Sequence, residues 1–186
     1  FNLDSKGISA QKHVTGLEEW LGFHGVHIEP LLVMDNQNMA FPVPIKRQVG
    51  EVTFDQLEML PYPYFIDIRA EGMQHGGDII GQLDQLTLNW SSPLSLQSQA
   101  SVKTTVLLQS SAASGLDDTV TIQPDFATWP GTGFPVVEQD GPQTLAVALQ
   151  GAFYSWFSDR LTAPAGIETH GELLARSVQD GRLVVI

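Results

Sequence analysis

Two adjacent serines, Ser110 and Ser111, are the closest this sequence comes to a hydrolytic nucleophile. A serine of the α/β-hydrolase type stands in a Gly-x-Ser-x-Gly turn between a strand and a helix. Residues 109–115 lack the first glycine of that motif. The His-Gly-Gly segment at 75–77 is similar to the oxyanion-hole loop of esterases, but without the serine motif it is more typical of a turn. We therefore predict no catalytic residue and keep a Ser/His hydrolase as an alternative.

The histidines and carboxylates are too dispersed along the chain to predict a metal site. His24 and His27 are three residues apart, and Asp35 would have to supply a third ligand from a strand. Zinc sites have tighter ligand clusters. The acidic residues at 117–118 and at 138 and 140 are typical of solvated turns, and the glycine-rich phosphate-binding motifs are absent. The sequence predicts neither a metal nor a cofactor.

Hydrophobic patterning predicts strands, with helices before some of them. Capping boxes at 15–18 and 169–172 each open a predicted helix. A short helix is expected at 52–60, ended by the prolines within 61–64, and a loop is expected at 36–44. Apolar or alternating runs predict strands at residues 31–34, 65–68, 86–90, 104–109, 145–149 and 182–186.

Helices alternating with buried strands favour an α/β fold, with a mixed sheet and flanking helices. The length of 186 residues fits a single domain, with a loose lead-in at 1–14. An all-β fold is the alternative, because the middle hundred residues have little helix signal.

An α/β fold also predicts where a ligand would bind, which is beyond the carboxyl ends of the strands. Residues 35–38 follow the predicted strand at 31–34, and residues 110–111 follow the one at 104–109. The candidate binding residues are Asp35, Asn36, Gln37, Asn38, Ser110 and Ser111. The alternative is that Asp35 caps a turn and the amides satisfy loop backbone.

Charge and composition exclude several classes of partner. With 9 Lys and Arg against 21 Asp and Glu, the formal net charge is −12, which argues against nucleic acid and anionic lipid. The chain has no cysteine, so disulfides, thiol nucleophiles and cysteine-ligated zinc are excluded. The longest apolar stretch, 145–157, is shorter than a membrane-spanning helix. Because the chain begins with Phe1 and ends in an apolar run, we expect it to be a fragment of a larger domain.

Several segments, taken in order along the chain, resemble the GldG-like family, the auxiliary components of gliding-motility-type ABC transport systems. The matching segments are residues 25–38, 61–65, 79–94, 105–111, 145–157 and 181–186. The sequence departs from the family at Gln150, where the family often has Glu. It also lacks the family's acidic segment after Ile186 and the first half of the family domain before Phe1, so a pocket built from those parts would be incomplete.

This resemblance implies a non-catalytic, extracytoplasmic domain that is anchored to the cytoplasmic membrane through segments outside the chain. It implies ABC permease and ATPase subunits as partners, and partner or substrate interaction as the role. The fold it implies is similar to class I glutamine amidotransferases or flavodoxins, without the amidotransferase cysteine. A third possibility is a carbohydrate-binding β-rich module, which would need an exposed coplanar pair among Trp90, Trp129 and Trp156.

Overall fold

The computed structural model describes residues 2–4, 7–11, 13–74, 80–81, 83–119, 121–158 and 174–186. Within these ranges the chain forms twelve strands, one α-helix and a single 3₁₀ turn at Ala70–Gly72. The elements are β1 (Asn2–Asp4), β2 (Gly7–Ser9), α1 (Glu18–Phe23), β3 (Val26–Ile28), β4 (Leu32–Asp35), β5 (Asn38–Val49), β6 (Val52–Arg69), β7 (Gln85–Asn89), β8 (Leu94–Leu96), β9 (Val102–Gln109), β10 (Ser114–Asp117), β11 (Thr144–Gly151) and β12 (Gly181–Val185).

The strands associate in small antiparallel sheets. One three-stranded sheet has the order β5-β6-β7, and another has the order β12-β11-β9. The pairs β4–β10, β3–β8 and β1–β2 complete the pairing, and β1–β2 lies within the lead-in expected at 1–14. All these pairings are antiparallel.

The predicted α/β fold, with its similarity to flavodoxins and class I amidotransferases, is wrong. Of the residues that the structure describes, 49% are in strands and only 6% in helices, so the fold is β-rich, as the all-β alternative expected. The capping box at 15–18 does precede a helix, but α1 has only six residues. Most of the helix predicted from Thr169 lies outside the described residues, and the described residues 174–180 are not helical.

The hairpin of β5 and β6 replaces the loop expected at 36–44 and the helix expected at 52–60, so both expectations are wrong. Val49 pairs with Val52 across a two-residue turn, and Gly50 has φ +64° at its first central position, as such hairpins require. Pro42 and Pro44 belong to the segment 36–44 in which the sequence predicts a loop. They lie in β5, an edge strand, where a proline is tolerated because alternate N–H groups point away from the ladder.

The second half of β6 runs through the core. Residues 62–68 are all buried, which is the pattern of a strand covered on both faces. Tyr62 and Tyr64 pack in one apolar cluster with Met34 and Phe134. Two further clusters surround the rest of the sheets. The first of these contains Val33, Ile66, Ile68, Leu107, Leu108 and Leu145, and the second contains Leu21, Val26, Leu94, Val147 and Leu149.

Asp67 is a buried carboxylate in β6 and lies between strand neighbours. Its Oδ2 accepts hydrogen bonds from Arg69 Nε at 2.7 Å and Nη2 at 2.5 Å, and its Oδ1 accepts one from Gln85 Nε2 at 2.5 Å. Burial alone would raise the pKa of Asp67, but the bonds from Arg69 and Gln85 and the charge of Arg69 outweigh it, so the pKa is lowered. The contribution of this carboxylate to stability is therefore present at neutral pH and is lost as the pH falls through the folded-state pKa.

We expect Asp67→Asn to lower the free energy of unfolding by about 1–2 kcal/mol at pH 7, because an amide NH₂ would face the Arg69 guanidinium. At pH 3, below the unfolded pKa of about 3.9, the difference between variant and native protein should shrink. Urea unfolding at both pH values measures this. The control is Asp84→Asn, which removes the same charge from an exposed neighbour of Gln85. An equal loss at both pH values would contradict the electrostatic explanation.

Candidate functional site

Asp35 and Ser111, two of the predicted binding residues, meet in the structure. Asp35 is fully buried at the end of β4. Its Oδ1 accepts hydrogen bonds from Ser111 Oγ at 2.6 Å and from the Gln37 amide at 2.8 Å, and its Oδ2 accepts one from the Ser111 amide at 2.7 Å. The contact follows from the pairing of β4 with β10, in which Asp35 lies opposite Ser114. This carboxylate therefore holds the loop before β10 against the end of β4.

The other predicted residues also have bonds within the protein. Asn38 Nδ2 donates to the Asp35 carbonyl at 2.8 Å, and Gln37 Nε2 donates to the Asp67 carbonyl at 2.5 Å. The Asn36 amide donates to the Ala113 carbonyl at 3.3 Å, while the Asn36 side chain lies in an exposed position. These bonds agree with the alternative in which amide groups satisfy loop backbone, and the binding role of residues 35–38 stays a prediction.

Ser110 is buried and is engaged on more than one side. Its Oγ accepts a hydrogen bond from the Gln143 amide at 2.7 Å and lies 2.6 Å from Ser114 Oγ, which donates to the Gly141 carbonyl at 2.8 Å. A hydroxyl held in this way ties the start of β10 to the chain before β11. His75, the histidine of the hydrolase alternative, lies outside the described residues.

Beside this cluster, β4 and β10 form the floor of a cleft of about 530 Å³. Its walls come from described residues between 119 and 138. The apolar part of the lining is Met34, Leu116, Trp129, Phe134, Pro135, Val136 and Val137. The polar part is Tyr64, Asp117, Thr119, Thr121, Gln123, Asp125 and Glu138, with Gly115 and Gly133 completing it.

Gly115 allows the wall to approach the floor. A Cβ at Gly115 would collide with the backbone carbonyl of Glu138. The wall is fixed there by two bonds, from the Leu116 amide to Asp140 Oδ2 at 3.2 Å and from the Asp140 amide to the Ser114 carbonyl at 2.9 Å. Farther along, Tyr62 Oη donates to the Ile122 carbonyl at 2.8 Å and anchors the start of the wall to β6.

The electrostatics of the cleft are acidic. Asp117 is 9% exposed and accepts bonds from Tyr64 Oη at 2.5 Å, the Thr119 amide at 3.0 Å and Thr119 Oγ1 at 2.8 Å. Burial, the bond to Asp117 and the charge of Asp117 all raise the pKa of Tyr64, so its phenol keeps its proton and acts as a donor. Hydrogen bonds from Thr128 lower the pKa of Asp125. Among the described residues that line the cleft there is no Lys, Arg or His.

The sequence does not predict this cleft, because its local pattern indicates solvated turns at Asp117, Glu138 and Asp140. One signal was available in the composition. No Lys, Arg or His stands between Lys103 and Arg160, although the chain there carries several acids. A cleft lined by charges of one sign attracts ligands of the opposite sign.

The three tryptophans of the carbohydrate alternative lie in different surroundings. Trp90 packs edge-on against Phe65 with a centroid distance of 4.8 Å, and Trp156 packs edge-on against Phe23 at 5.2 Å, both partly buried. Trp129 is 39% exposed and lines the cleft. The β-rich architecture agrees with that alternative. An exposed pair of rings is not formed among them, because Trp90 and Trp156 are partly buried and only Trp129 is exposed.

The histidine and acid positions considered for a metal are also separate. His24 is buried between Trp20 and Phe153, at centroid distances of 4.6 and 5.4 Å, and burial lowers its pKa. Across the part of the chain that the structure describes, no three His, Asp or Glu side chains gather as metal ligands would.

A second surface feature is the outer face of the β5–β6 hairpin, which we name the outer strip. It consists of three consecutive cross-strand pairs, all six residues of which are apolar and exposed. The pairs are Ala40–Pro61, Pro42–Met59 and Pro44–Leu57. Leu57 is 70% exposed and Met59 is 62% exposed. The solvent face of an antiparallel ribbon is normally polar, so this strip is a candidate contact surface.

The inner face of the same hairpin has the opposite character. Val43 is fully buried there, and Phe41, Ile45 and Leu60 are partly buried. On this inner side Arg47 Nη2 lies 2.9 Å from Glu58 Oε2. On the outer side the charged residues Lys46 and Asp55 lie opposite each other, one pair beyond the strip. All six residues of the outer strip are uncharged, although the formal net charge of the chain is −12.

Comparison with known proteins places the chain in a family. The model of one family, described as an ABC-type uncharacterized transport system, matches residues 1–186. A comparison with curated proteins finds no match, and a comparison with solved structures also finds none. Among the described residues, no helix is long and apolar enough to cross a bilayer. Because the match extends over all 186 residues, the chain belongs to this family of auxiliary components of ABC-type transport systems.

Proposed function

We propose that this protein is a non-catalytic, extracytoplasmic auxiliary component that docks onto the permease of its ABC transport system, which also includes an ATPase. The outer strip is the observation that carries this proposal. An apolar, uncharged surface on an otherwise acidic protein matches an equally apolar and uncharged surface on a partner. A permease offers such surfaces where its helices emerge from the bilayer.

The strip favours docking through side chains. Pro42 and Pro44 remove backbone donors from the free edge of β5, so an added strand would find an incomplete ladder. Leu57 and Met59 stand directly opposite these prolines and supply flexible apolar side chains. A helix face or a loop with apolar side chains is therefore the partner surface that fits.

Non-catalytic action and an extracytoplasmic position are parts of the same proposal. The family membership supports the first, since an auxiliary component assists transport by interaction. The second rests on the resemblance to the gliding-motility systems, whose auxiliary domains lie outside the cytoplasmic membrane, and membership of that branch is itself part of the proposal.

Co-purification from membranes tests the proposal. We expect the native protein, captured from detergent-solubilised membranes of its own cells, to bring down the permease and ATPase of one ABC system. In intact spheroplasts, externally added protease should degrade the domain. Capture without either transporter subunit would contradict the docking function, and protection from protease in spheroplasts would contradict the extracytoplasmic position.

A further inference from the structure

We propose that the acidic cleft binds an organic cation, namely an ammonium or guanidinium group carried on an apolar body. The cleft volume of about 530 Å³ lies in the range of small-ligand sites and is far larger than a metal ion needs. The lining combines an apolar wall with a few polar groups, as in sites that recognise an amphipathic molecule. The proposal concerns a surface separate from the outer strip and does not depend on docking to a permease.

Asp117 supplies the first argument for a cation. It is a nearly buried carboxylate whose hydrogen-bond donors, Tyr64 and Thr119, are neutral. The ion pairs found among the described residues join Arg47 to Glu58 and Arg69 to Asp67, so they leave Asp117 without a basic partner. A carboxylate in a partly dry cleft attracts a cation more strongly than one in open water.

The other charged residues that line the cleft are negative, like Asp117. Asp125 and Glu138 add two further acidic residues, and none of the described residues that line the cleft is basic. Trp129 lies in the wall with 39% of its surface exposed. An indole that lines the same cleft as acidic residues favours the binding of an ammonium or guanidinium group, because both interactions stabilise the same charge.

A metal ion would not satisfy this lining. A hard divalent cation needs six or more oxygen ligands in close array. Within the described ranges, no three acidic or histidine side chains converge as metal ligands. The apolar wall would also remain unused by a metal, whereas the hydrocarbon part of an organic cation would cover Trp129, Phe134 and Val136.

Two sources can offer this chemistry, a free amine and the basic side chain of a peptide. Isothermal titration calorimetry of the native protein with phenethylammonium represents the first, with 2-phenylethanol as its neutral analogue. The peptide acetyl-Leu-Arg-Leu-amide represents the second, with the citrulline peptide as its neutral analogue. We expect saturable binding of at least one cation and at least fivefold weaker binding of its neutral analogue. The tighter of the two cations identifies the source.

Glu138→Gln and Trp129→Leu test the residues. Both side chains are exposed enough for replacement without disturbing the core. Each change should weaken cation binding about three- to fivefold, and the double variant about tenfold. Asp118→Asn is the matched control, since it removes the same charge from an exposed residue outside the lining and should change affinity less than twofold. Equal binding of cation and neutral analogue, equal effects of Glu138→Gln and Asp118→Asn, or no saturable binding of either cation would overturn the proposal.

Discussion

Replacement of Asp35 by alanine is expected to lower the free energy of unfolding by about 3 kcal/mol. The variant leaves the amides of Gln37 and Ser111 and the hydroxyl of Ser111 without the acceptor they share in the native protein. Each buried donor that loses its partner costs about 1–3 kcal/mol. Because Asp35 has no exposed surface, water does not replace the lost acceptor without local opening.

Urea unfolding followed by tryptophan fluorescence measures this change. The control is Asn36→Ala, which removes an exposed neighbouring side chain and is expected to change the free energy of unfolding by less than about 0.5 kcal/mol. If only Asp35→Ala strongly lowers the free energy of unfolding, the Asp35 carboxylate holds β4 and β10 together. Native stability of the Asp35 variant would contradict this structural role and favour the predicted binding role.

Leu57→Asp is expected to reduce capture of the permease by at least tenfold. A charge at the centre of an apolar contact loses the burial of the leucine, about 1.5–3 kcal/mol, and adds an unpaired buried carboxylate. Met59→Asp, one pair farther along the outer strip, should act in the same direction. Since both side chains are more than half exposed in the free protein, its own stability should change little.

Gln56→Asp is the matched control for Leu57→Asp. It adds the same charge to the adjacent residue of β6, which points to the other face of the hairpin. Capture should remain within twofold of native for this variant. Equal losses for Leu57→Asp and Gln56→Asp would show that added charge, rather than the outer strip, governs capture.

The strands that could be predicted are those whose residues carry a local signal. The apolar runs at 32–35, 102–109 and 144–151 lie near the positions expected, because β-branched and aliphatic residues in short runs favour buried strands. Thr15 to Glu18 marked a real helix start, and Glu18 accepts the Thr15 amide at 2.8 Å. That bond says nothing about how far the helix continues, and the α/β prediction extended it too far.

The hairpin of β5 and β6 could not be read from local propensity. Prolines 42, 44, 61 and 63 look like breakers until the edge position of β5 and the pairing partner are known. Leu57, Glu58, Met59 and Leu60 favour a helix locally, and tertiary pairing overrides that preference.

Asp35 and Ser111 are candidate binding residues from the sequence, and their binding role stays a prediction. Each of the two residues was chosen because it follows the carboxyl end of a predicted strand, whereas their contact comes from the antiparallel pairing of β4 with β10. The cleft was not predicted, because its acidic residues lie on separate segments that only the fold brings to one surface. Asp117 lies on β10, Asp125 in the loop before Trp129, and Glu138 beside Gly115.

Photo-cross-linking from the outer strip measures the proposed docking most directly. A benzophenone amino acid is placed at position 57 in one variant and at position 56 in another, in cells that carry the whole transport system. The account predicts a cross-link to the permease from position 57 and little or none from position 56. Equal cross-linking from both positions, or no permease adduct from position 57, would contradict it.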